Sequence, residues 1–128
     1  INLNGQTVTL TAPFVNSDGQ IGLPLVETPM SLRNGTITRS GPNEFRLLQI
    51  GLSASLTLRD ITVSNGGGVS YAGSGGNLFA ASGSSLTLIR TTVTGGTVSN
   101  ASNGGGIFSS GQLFMTNSVV HGNQAGRA

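Results

Sequence analysis

The sequence predicts an all-β protein of the right-handed, single-stranded parallel β-helix class (a β-solenoid), with about five coils in one domain spanning residues 1–128. Three observations predict this fold. Short blocks of apolar–polar alternation repeat along the chain at spacings of about 22 to 30 residues. Their period of two is that of strands and not of helices. Gly, Asn and Ser fill the gaps between the blocks, and these residues suit turns.

Self-comparison identifies the first repeated block. Ser-Leu-Thr-Leu at 55–58 recurs as the same tetrapeptide at 85–88 and as Gln-Leu-Phe-Met at 112–115. Upstream, Pro-Met-Ser-Leu at 29–32 matches it, and Thr-Val-Thr-Leu at 7–10 matches less closely. Two further blocks keep the same order along the chain: 36–38 aligns with 62–64, 92–94 and 119–121, and 78–81 aligns with 107–110 and 48–50. A unit of this length without a helix is typical of one turn of a β-solenoid.

Alternation within the blocks predicts which side chains face the interior. Equivalent residues one coil apart stack at about 4.8 Å, and each buried aliphatic side chain contributes roughly 1.5–3 kcal/mol before its entropy is counted. The predicted inward columns are Met30, Leu56, Leu86 and Leu113; Leu32, Leu58, Leu88 and Met115, with Leu10 at its start; and Ile37, Val63, Val93 and Val120. The predicted outward columns are Ser31, Thr57, Thr87 and Phe114, and Thr36, Thr62, Thr92 and Val119.

Composition argues against several classes of protein. Charged residues make up 8% of the chain, and the formal net charge is +2. Nucleic-acid binding needs several converging cations, which the scattered Arg residues do not supply. The absence of Cys excludes a disulfide scaffold, and no apolar run approaches the roughly 20 residues of a transmembrane helix. The chain begins at Ile1, so we expect a processed mature chain or a fragment.

Two motifs resemble a known superfamily. Residues 104–111 read Gly-Gly-Gly-Ile-Phe-Ser-Ser-Gly, similar to the coil opening of polymorphic outer-membrane proteins, and residues 113–125 resemble its continuation. Residues 31–39 are similar to early coils of many such helices. From about residue 29 the chain therefore resembles the pectin-lyase-like right-handed β-helix superfamily, and within it the repeat-rich bacterial surface and autotransporter-like proteins. The resemblance implies this fold and an extracellular or cell-surface location; the fold itself carries lyases, hydrolases, tailspikes and adhesins.

The ionisable residues do not suggest a reaction, and we predict no catalytic residue, metal or cofactor. Glycoside hydrolysis needs two opposed carboxyls, but only Asp60 lies in a strongly repeated strand. Its column predicts an ion pair between Asp60 and Arg90 of the next coil, and the single His121 lies at a polar position near a turn. The other acids are Asp18, Glu27 and Glu44, and the column of Asp60 reads Asn34, Asp60, Arg90 and Asn117. The Gly-rich stretches 66–68, 73–76 and 104–106 are interpreted as solenoid corners.

Neither end of the sequence shows a cap. Two interpretations follow: the chain is a slice of a longer β-helix, or copies stack head to tail. The predicted axial contacts of such a stack are Val8, Leu10, Leu113, Met115 and Val120.

We therefore expect a non-catalytic extracellular structural or adhesive solenoid. The alternatives are a lateral face that binds a glycan or ice, and a truncated polysaccharide lyase or hydrolase. An aromatic platform would favour glycan binding, but Tyr71 and the five Phe are scattered. The outward Thr columns, which would favour ice, are interrupted by Ser31, Phe114 and Val119.

Overall fold

The computed structural model describes residues 1–16, 19–68, 74–99 and 102–127. Over these residues the protein is an all-β parallel solenoid of about four turns, and no helix occurs among them. Its strands are β1 (Thr7–Leu10), β2 (Phe14–Asn16), β3 (Gly19–Ile21), β4 (Met30–Arg39), β5 (Leu48–Ile50), β6 (Ser55–Ser64), β7 (Gly67–Gly68), β8 (Leu78–Ala80), β9 (Ser85–Ile89), β10 (Thr92–Thr94), β11 (Thr97–Ser99), β12 (Ile107–Ser109), β13 (Gln112–Thr116), β14 (Val119–His121) and β15 (Gln124–Arg127).

The strands form three parallel sheets. Sheet 1 joins β1, β4, β6, β10 and β14 in that order, with β9 and β13 paired alongside. Sheet 2 contains β5, β8 and β12, and sheet 3 contains β7, β11 and β15. Paired strands come from successive turns of the chain, so each sheet is built by coils lying on one another. β2 and β3 form a separate antiparallel hairpin that the repeat did not predict.

Strand pairing in sheet 1 confirms the predicted columns from residue 30 onward. Leu58 lies between Leu32 and Leu88, and Leu88 lies beside Met115. The strand pairings also confirm the column from Met30 to Leu113 and the column from Ile37 to Val120. Sheet 2 likewise confirms the alignment of 78–80 with 48–50 and 107–109. The middle coils therefore enclose a continuous aliphatic interior, whose Leu and Val side chains are fully buried.

The predicted place of Leu10 is wrong. β1 pairs with the second half of β4, so Val8 lies beside Ile37 and Leu10 lies beside Arg39, not beside Leu32. Val8 therefore adds a fifth member to the Ile37 column. The alternation of Thr-Val-Thr-Leu fits either half of the ten-residue β4, so hydrophobic pattern alone does not choose between them.

A corner before β1 decides its register. Asn4 and Gly5 have φ of 54° and 75°, in the left-handed region that Asn and Gly tolerate best. The Gly5 N–H donates to the carbonyl of Asn34, the corner residue of β4, at 2.7 Å. The residues before this corner meet the first half of β4 through an isolated bridge from Asn2 to Arg33. β1, which follows the corner, is thus placed beside the second half.

Two other expectations change. The structure has about four turns, not about five, because the outer turns are incomplete: the last contributes strands to sheets 1 and 3 only, and the first reaches sheet 2 through isolated bridges. The Gly66–Gly68 stretch is also not simply a corner. Gly67 and Gly68 form β7, which pairs with Thr97 and Val98 in sheet 3. A strand of two glycines carries no side-chain alternation, so the pattern could not reveal this sheet.

Glycine and asparagine close the narrow edge where sheets 2 and 3 approach each other. A Cβ on Gly66 would collide with the backbone oxygen of Gly76. The buried Asn77 side chain fills the remaining space, accepting from the Gly66 N–H at 2.7 Å and donating to the Thr94 carbonyl at 3.0 Å. Asn123 accepts likewise from the N–H of Gly96, the equivalent of Gly66 one coil later, at 2.8 Å. Buried backbone groups at this edge thereby gain partners that no strand provides.

The columns predict a graded response to truncation. Leu86→Ala removes a fully buried side chain of a middle coil, and we expect it to lower the free energy of unfolding by about 2–5 kcal/mol. The matched control is Leu113→Ala, the next residue of the same column, which is 41% exposed; we expect a loss of about 1 kcal/mol. Urea unfolding followed by circular dichroism measures both, and equal losses would contradict the stacked interior.

Candidate functional site

The C-terminal coil exposes the end of the apolar interior. Leu113, Met115 and Val120 are 41%, 43% and 41% exposed, although each continues an inward column. β13 and β14 pair with β9 and β10 on one side and have no partner on the other among the described strands. The residues beside them one coil earlier are fully buried: Leu86, Leu88 and Val93. This surface therefore combines apolar side chains with open backbone edges.

The N-terminal end is better covered. Ile21 and Val26 of the first turn are fully buried, and Val8 and Leu10 are half-buried. Ile1 and Phe14 are the exceptions, at 70% and 51% exposed. Because β1 and β14 lie at opposite edges of sheet 1, the predicted N-terminal and C-terminal contact residues do not meet within one chain.

An aromatic stack crosses sheet 2. Phe79 and Phe108 occupy equivalent positions of β8 and β12, and their rings stack with centroids 5.4 Å apart and 15° between planes. The Arg46 guanidinium carbon lies 4.7 Å from the Phe79 centroid, within the range of a cation–π interaction. The expectation that the Phe residues are scattered is therefore wrong for this pair. Repeat alignment of 78–81 with 107–110 already contained the signal.

Arg46 is a buried cation for which no sequence pattern predicted a role. Its guanidinium donates to the carbonyls of Gly75 and Ser74 and, at 2.7 Å, to Oε1 of the buried Gln49. Burial lowers the pKa of Arg46 from its ordinary value to about 10, so it stays cationic at neutral pH. Arg46 thus ties the segment around residue 75 to the start of sheet 2.

A groove of about 580 Å³ opens beside this stack. Its size is within the range of small-molecule sites. The exposed Glu27 carboxylate and the Leu52 side chain, which is 74% exposed, lie on its rim. The other lining residues are Leu25, Arg46, Gln49, Gly51, Phe79 and Ala81.

A column of corner residues bends sheet 1 between its two halves. The four members all have left-handed φ, between 45° and 64°: Asn34, Asp60, Arg90 and Asn117. Asn and Asp tolerate this region, whereas it is unfavourable for Arg90. An ion pair with Asp60 holds the Arg90 side chain against the neighbouring corner.

The predicted ion pair between Asp60 and Arg90 is confirmed. Arg90 Nε donates to Asp60 Oδ1 at 2.6 Å, and Nη2 donates to Oδ2 at 2.9 Å. This is the two-bond geometry that Arg and carboxylate favour. Hydrogen bonding from Arg90 lowers the pKa of Asp60, and the same bond raises the pKa of Arg90. Both groups are exposed, so the pair links adjacent corners without contributing much stability.

Arg33 and Arg59 are neighbours on adjacent strands of sheet 1. His121 lies in β14 beside Thr94 and is exposed, and Glu44 packs near Gly67. Asp18 and Tyr71 lie outside the described residues. In the described part of the chain, no three His, Cys, Asp or Glu side chains come together as metal ligands, and no helix there is long and apolar enough to cross a membrane.

Comparisons of the chain with protein-family profiles, curated protein sequences and solved structures found no match. The candidate surfaces are the open C-terminal coil, the groove beside Phe79 and the outward faces of sheet 1.

The lowered pKa of Asp60 predicts a dependence on acid pH. A depressed folded-state pKa contributes stability that is present above the unfolded value of about 3.9 and is lost as the pH falls through the folded value. We therefore expect urea midpoints to fall as the pH drops below about 5, and to fall less in Asp60→Asn. The matched control is Glu44→Gln, which removes an exposed carboxylate elsewhere. An Asp60→Asn variant with the full acid dependence of the wild type would show that the pair contributes nothing.

Proposed function

We propose that this chain is a non-catalytic structural or adhesive β-solenoid of the cell surface or extracellular space, and that copies of it stack end to end. The exposed C-terminal coil carries the proposal. Its three apolar side chains continue columns that are fully buried one coil earlier. Burying an aliphatic side chain contributes roughly 1.5–3 kcal/mol, so covering this coil is favourable.

The N-terminal coil of a second copy matches this surface in register. Val8 belongs to the column that ends at Val120. Ile1 lies at the start of the column that ends at Met115, because the residue after it bridges to the first half of β4. Leu10 lies in neither column, so Ile1 takes its place in the proposed contact.

Backbone pairing supports the same arrangement. β14 has a partner on one side, β10, and β1 has a partner on one side, β4. Parallel pairing of β14 with β1 of the next copy would repeat the geometry found between β1 and β4, which is strand addition at a sheet edge. The two surfaces differ, so the contact does not close on itself and continues into a filament.

Two features support a non-catalytic role. The Asp60 carboxylate is held by Arg90, on the outer corner of sheet 1. Glu27 lines the groove beside Phe79, whereas Glu44 lines a different depression. The described acids are thus not arranged as an opposed pair of the kind glycoside hydrolysis uses.

We propose a right-handed helix of the pectin-lyase-like type, similar to bacterial surface and autotransporter-like proteins. The Gly-rich motif at 104–111 supports it, because in the structure it leads into and spans β12 of sheet 2. This coil opening carried the resemblance, together with its continuation at 113–125 and the stretch at 31–39.

Sedimentation velocity over a concentration series tests the stack. We expect the wild-type chain to form a growing series of oligomers, visible as thin filaments by electron microscopy. Val120→Asp buries a charge in the proposed contact, so we expect it to remain monomeric. Since Val120 is 41% exposed in the single chain, the substitution should leave the fold intact, which circular dichroism checks.

The matched control is Leu52→Asp, on a lateral surface where the side chain is 74% exposed. It should assemble like the wild type. A wild-type chain that stays monomeric at high concentration would contradict end-to-end stacking, as would equal assembly of Val120→Asp. Turnover of pectin or alginate by the chain would contradict the non-catalytic part of the proposal.

A further inference from the structure

The second half of sheet 1 presents a two-dimensional array of hydroxyl side chains, which we name the Thr face. Strand pairing aligns it over four successive coils without a break in register. Its two columns are Thr7, Thr36, Thr62 and Thr92, and Thr9, Thr38, Ser64 and Thr94. Every member except one is therefore Thr.

The array depends on two structural facts that the sequence did not show. The corner at Asn34 and its equivalents separates this half of the sheet from Ser31 and Phe114, so those residues do not interrupt it. The register of β1 adds Thr7 and Thr9 to the columns, because β1 pairs with the second half of β4. Only the last coil, with Val119 and His121, departs from the pattern.

β-Sheet propensity alone does not explain the Thr face. β4 and β6 run through both halves of sheet 1, so both halves experience the same preference for β-branched residues. The outward positions of the first half are nevertheless mixed: Ser31, Thr57, Thr87 and Phe114, and Arg33, Arg59, Ile89 and Thr116. Over the first four coils, the outward positions of the Thr face thus carry hydroxyls alone, whereas those of the first half include charged, aromatic and aliphatic side chains.

The side chains of the Thr face are ordered within the folded chain. The Ser64 hydroxyl donates to Thr38 Oγ1 at 2.9 Å, and the Thr38 hydroxyl donates to the Ser64 carbonyl at 3.1 Å. β-Branching restricts χ1 at the Thr positions. Neighbouring Arg39 turns away, donating to the carbonyls of Asn65 and Asn43 at 2.7 Å. Order of this kind reduces the entropy lost on binding.

The spacing of the array identifies the class of ligand. Within one column, neighbouring side chains are about 4.8 Å apart along the solenoid axis. The two columns are separated by two residues of a strand, or roughly 6.6–6.8 Å. Such a surface presents one hydroxyl at each of its eight points and one methyl at the seven that are Thr. A ligand that matches it must itself be periodic in two dimensions and hydrogen-bond at each repeat.

We propose that the Thr face binds the surface of ice. The hydroxyls other than that of Thr38, whose oxygen is already engaged by Ser64 and Asn65, hydrogen-bond to water molecules at fixed intervals. The methyl groups hold the intervening water in an ordered layer that merges with the crystal. The eight array positions carry no charge, so they do not impose the differently ordered hydration shell of an ion. This inference does not rest on end-to-end stacking, because the array is complete within one chain.

Thermal hysteresis and inhibition of ice recrystallisation test the proposal on the 128-residue chain. We expect the wild type to shape growing ice crystals and to lower their growth temperature. Thr62→Tyr places a bulky ring at the centre of the array and should abolish most of this activity. The matched control is Thr57→Tyr on the same strand β6, in the first half of sheet 1, and it should keep the activity.

Both Tyr variants are first checked by circular dichroism and urea unfolding; exposed aromatic residues suit strands, so both should fold. Val120→Asp should keep the activity even where it blocks assembly, which separates this inference from the proposed stack. Absence of hysteresis in the wild type would overturn the proposal. Equal loss in both Tyr variants, or full activity in Thr62→Tyr, would also overturn it, as would binding to crystalline cellulose or chitin without any effect on ice.

Discussion

In-register parallel pairing between successive coils is the constraint on which the rest of the structure depends. It places Leu58 between Leu32 and Leu88, and Val63 between Ile37 and Val93. Because each residue contacts its equivalent in the next coil, the same aliphatic contact is repeated along the whole interior. The same pairing brings Phe79 onto Phe108, and it repeats the corner conformation at each turn.

A narrow solenoid leaves many backbone groups at its corners without a strand partner, and specific side chains supply what is missing. Asn77 and Asn123 accept from the N–H groups of Gly66 and Gly96, which directly precede strands of sheet 3. Arg46 donates to carbonyls beside sheet 2. At the corner of sheet 1, Arg90 adopts a left-handed conformation that Asn would tolerate better, and its bonds to Asp60 anchor it there.

In-register pairing also explains which parts of the fold could be predicted from the sequence. The columns through Leu58 and Val63 were predicted because alternation of large apolar and polar residues survives in each coil. The place of β1 was not, because Thr-Val-Thr-Leu fits both halves of β4 and a corner at Asn4 and Gly5 decides the matter. The β7 strand at Gly67–Gly68 has no side chains to alternate. Arg46 makes its contacts with distant backbone carbonyls, which no local pattern records.

The candidate surfaces follow from sheet 1 in two directions. Along the solenoid axis, the columns present apolar side chains at the last coil, which suits another coil. Across the axis, the corner near Asp60 divides the outward surface into a mixed half and the Thr face. Val120 is exposed on the axial surface. Thr38, which is ordered by a hydrogen bond from Ser64, lies on the lateral surface. The two surfaces are therefore separable by mutation.

Nuclear Overhauser contacts between assigned methyl groups measure the stacking most directly. We expect cross-peaks between Leu58 and Leu88 and between Val63 and Val93, whose strands are neighbours. We expect none between Leu58 and Met115, which lie two coils apart, at about twice the strand spacing of 4.8 Å. Absence of the Leu58–Leu88 cross-peak in the folded chain would contradict the in-register stacking of coils.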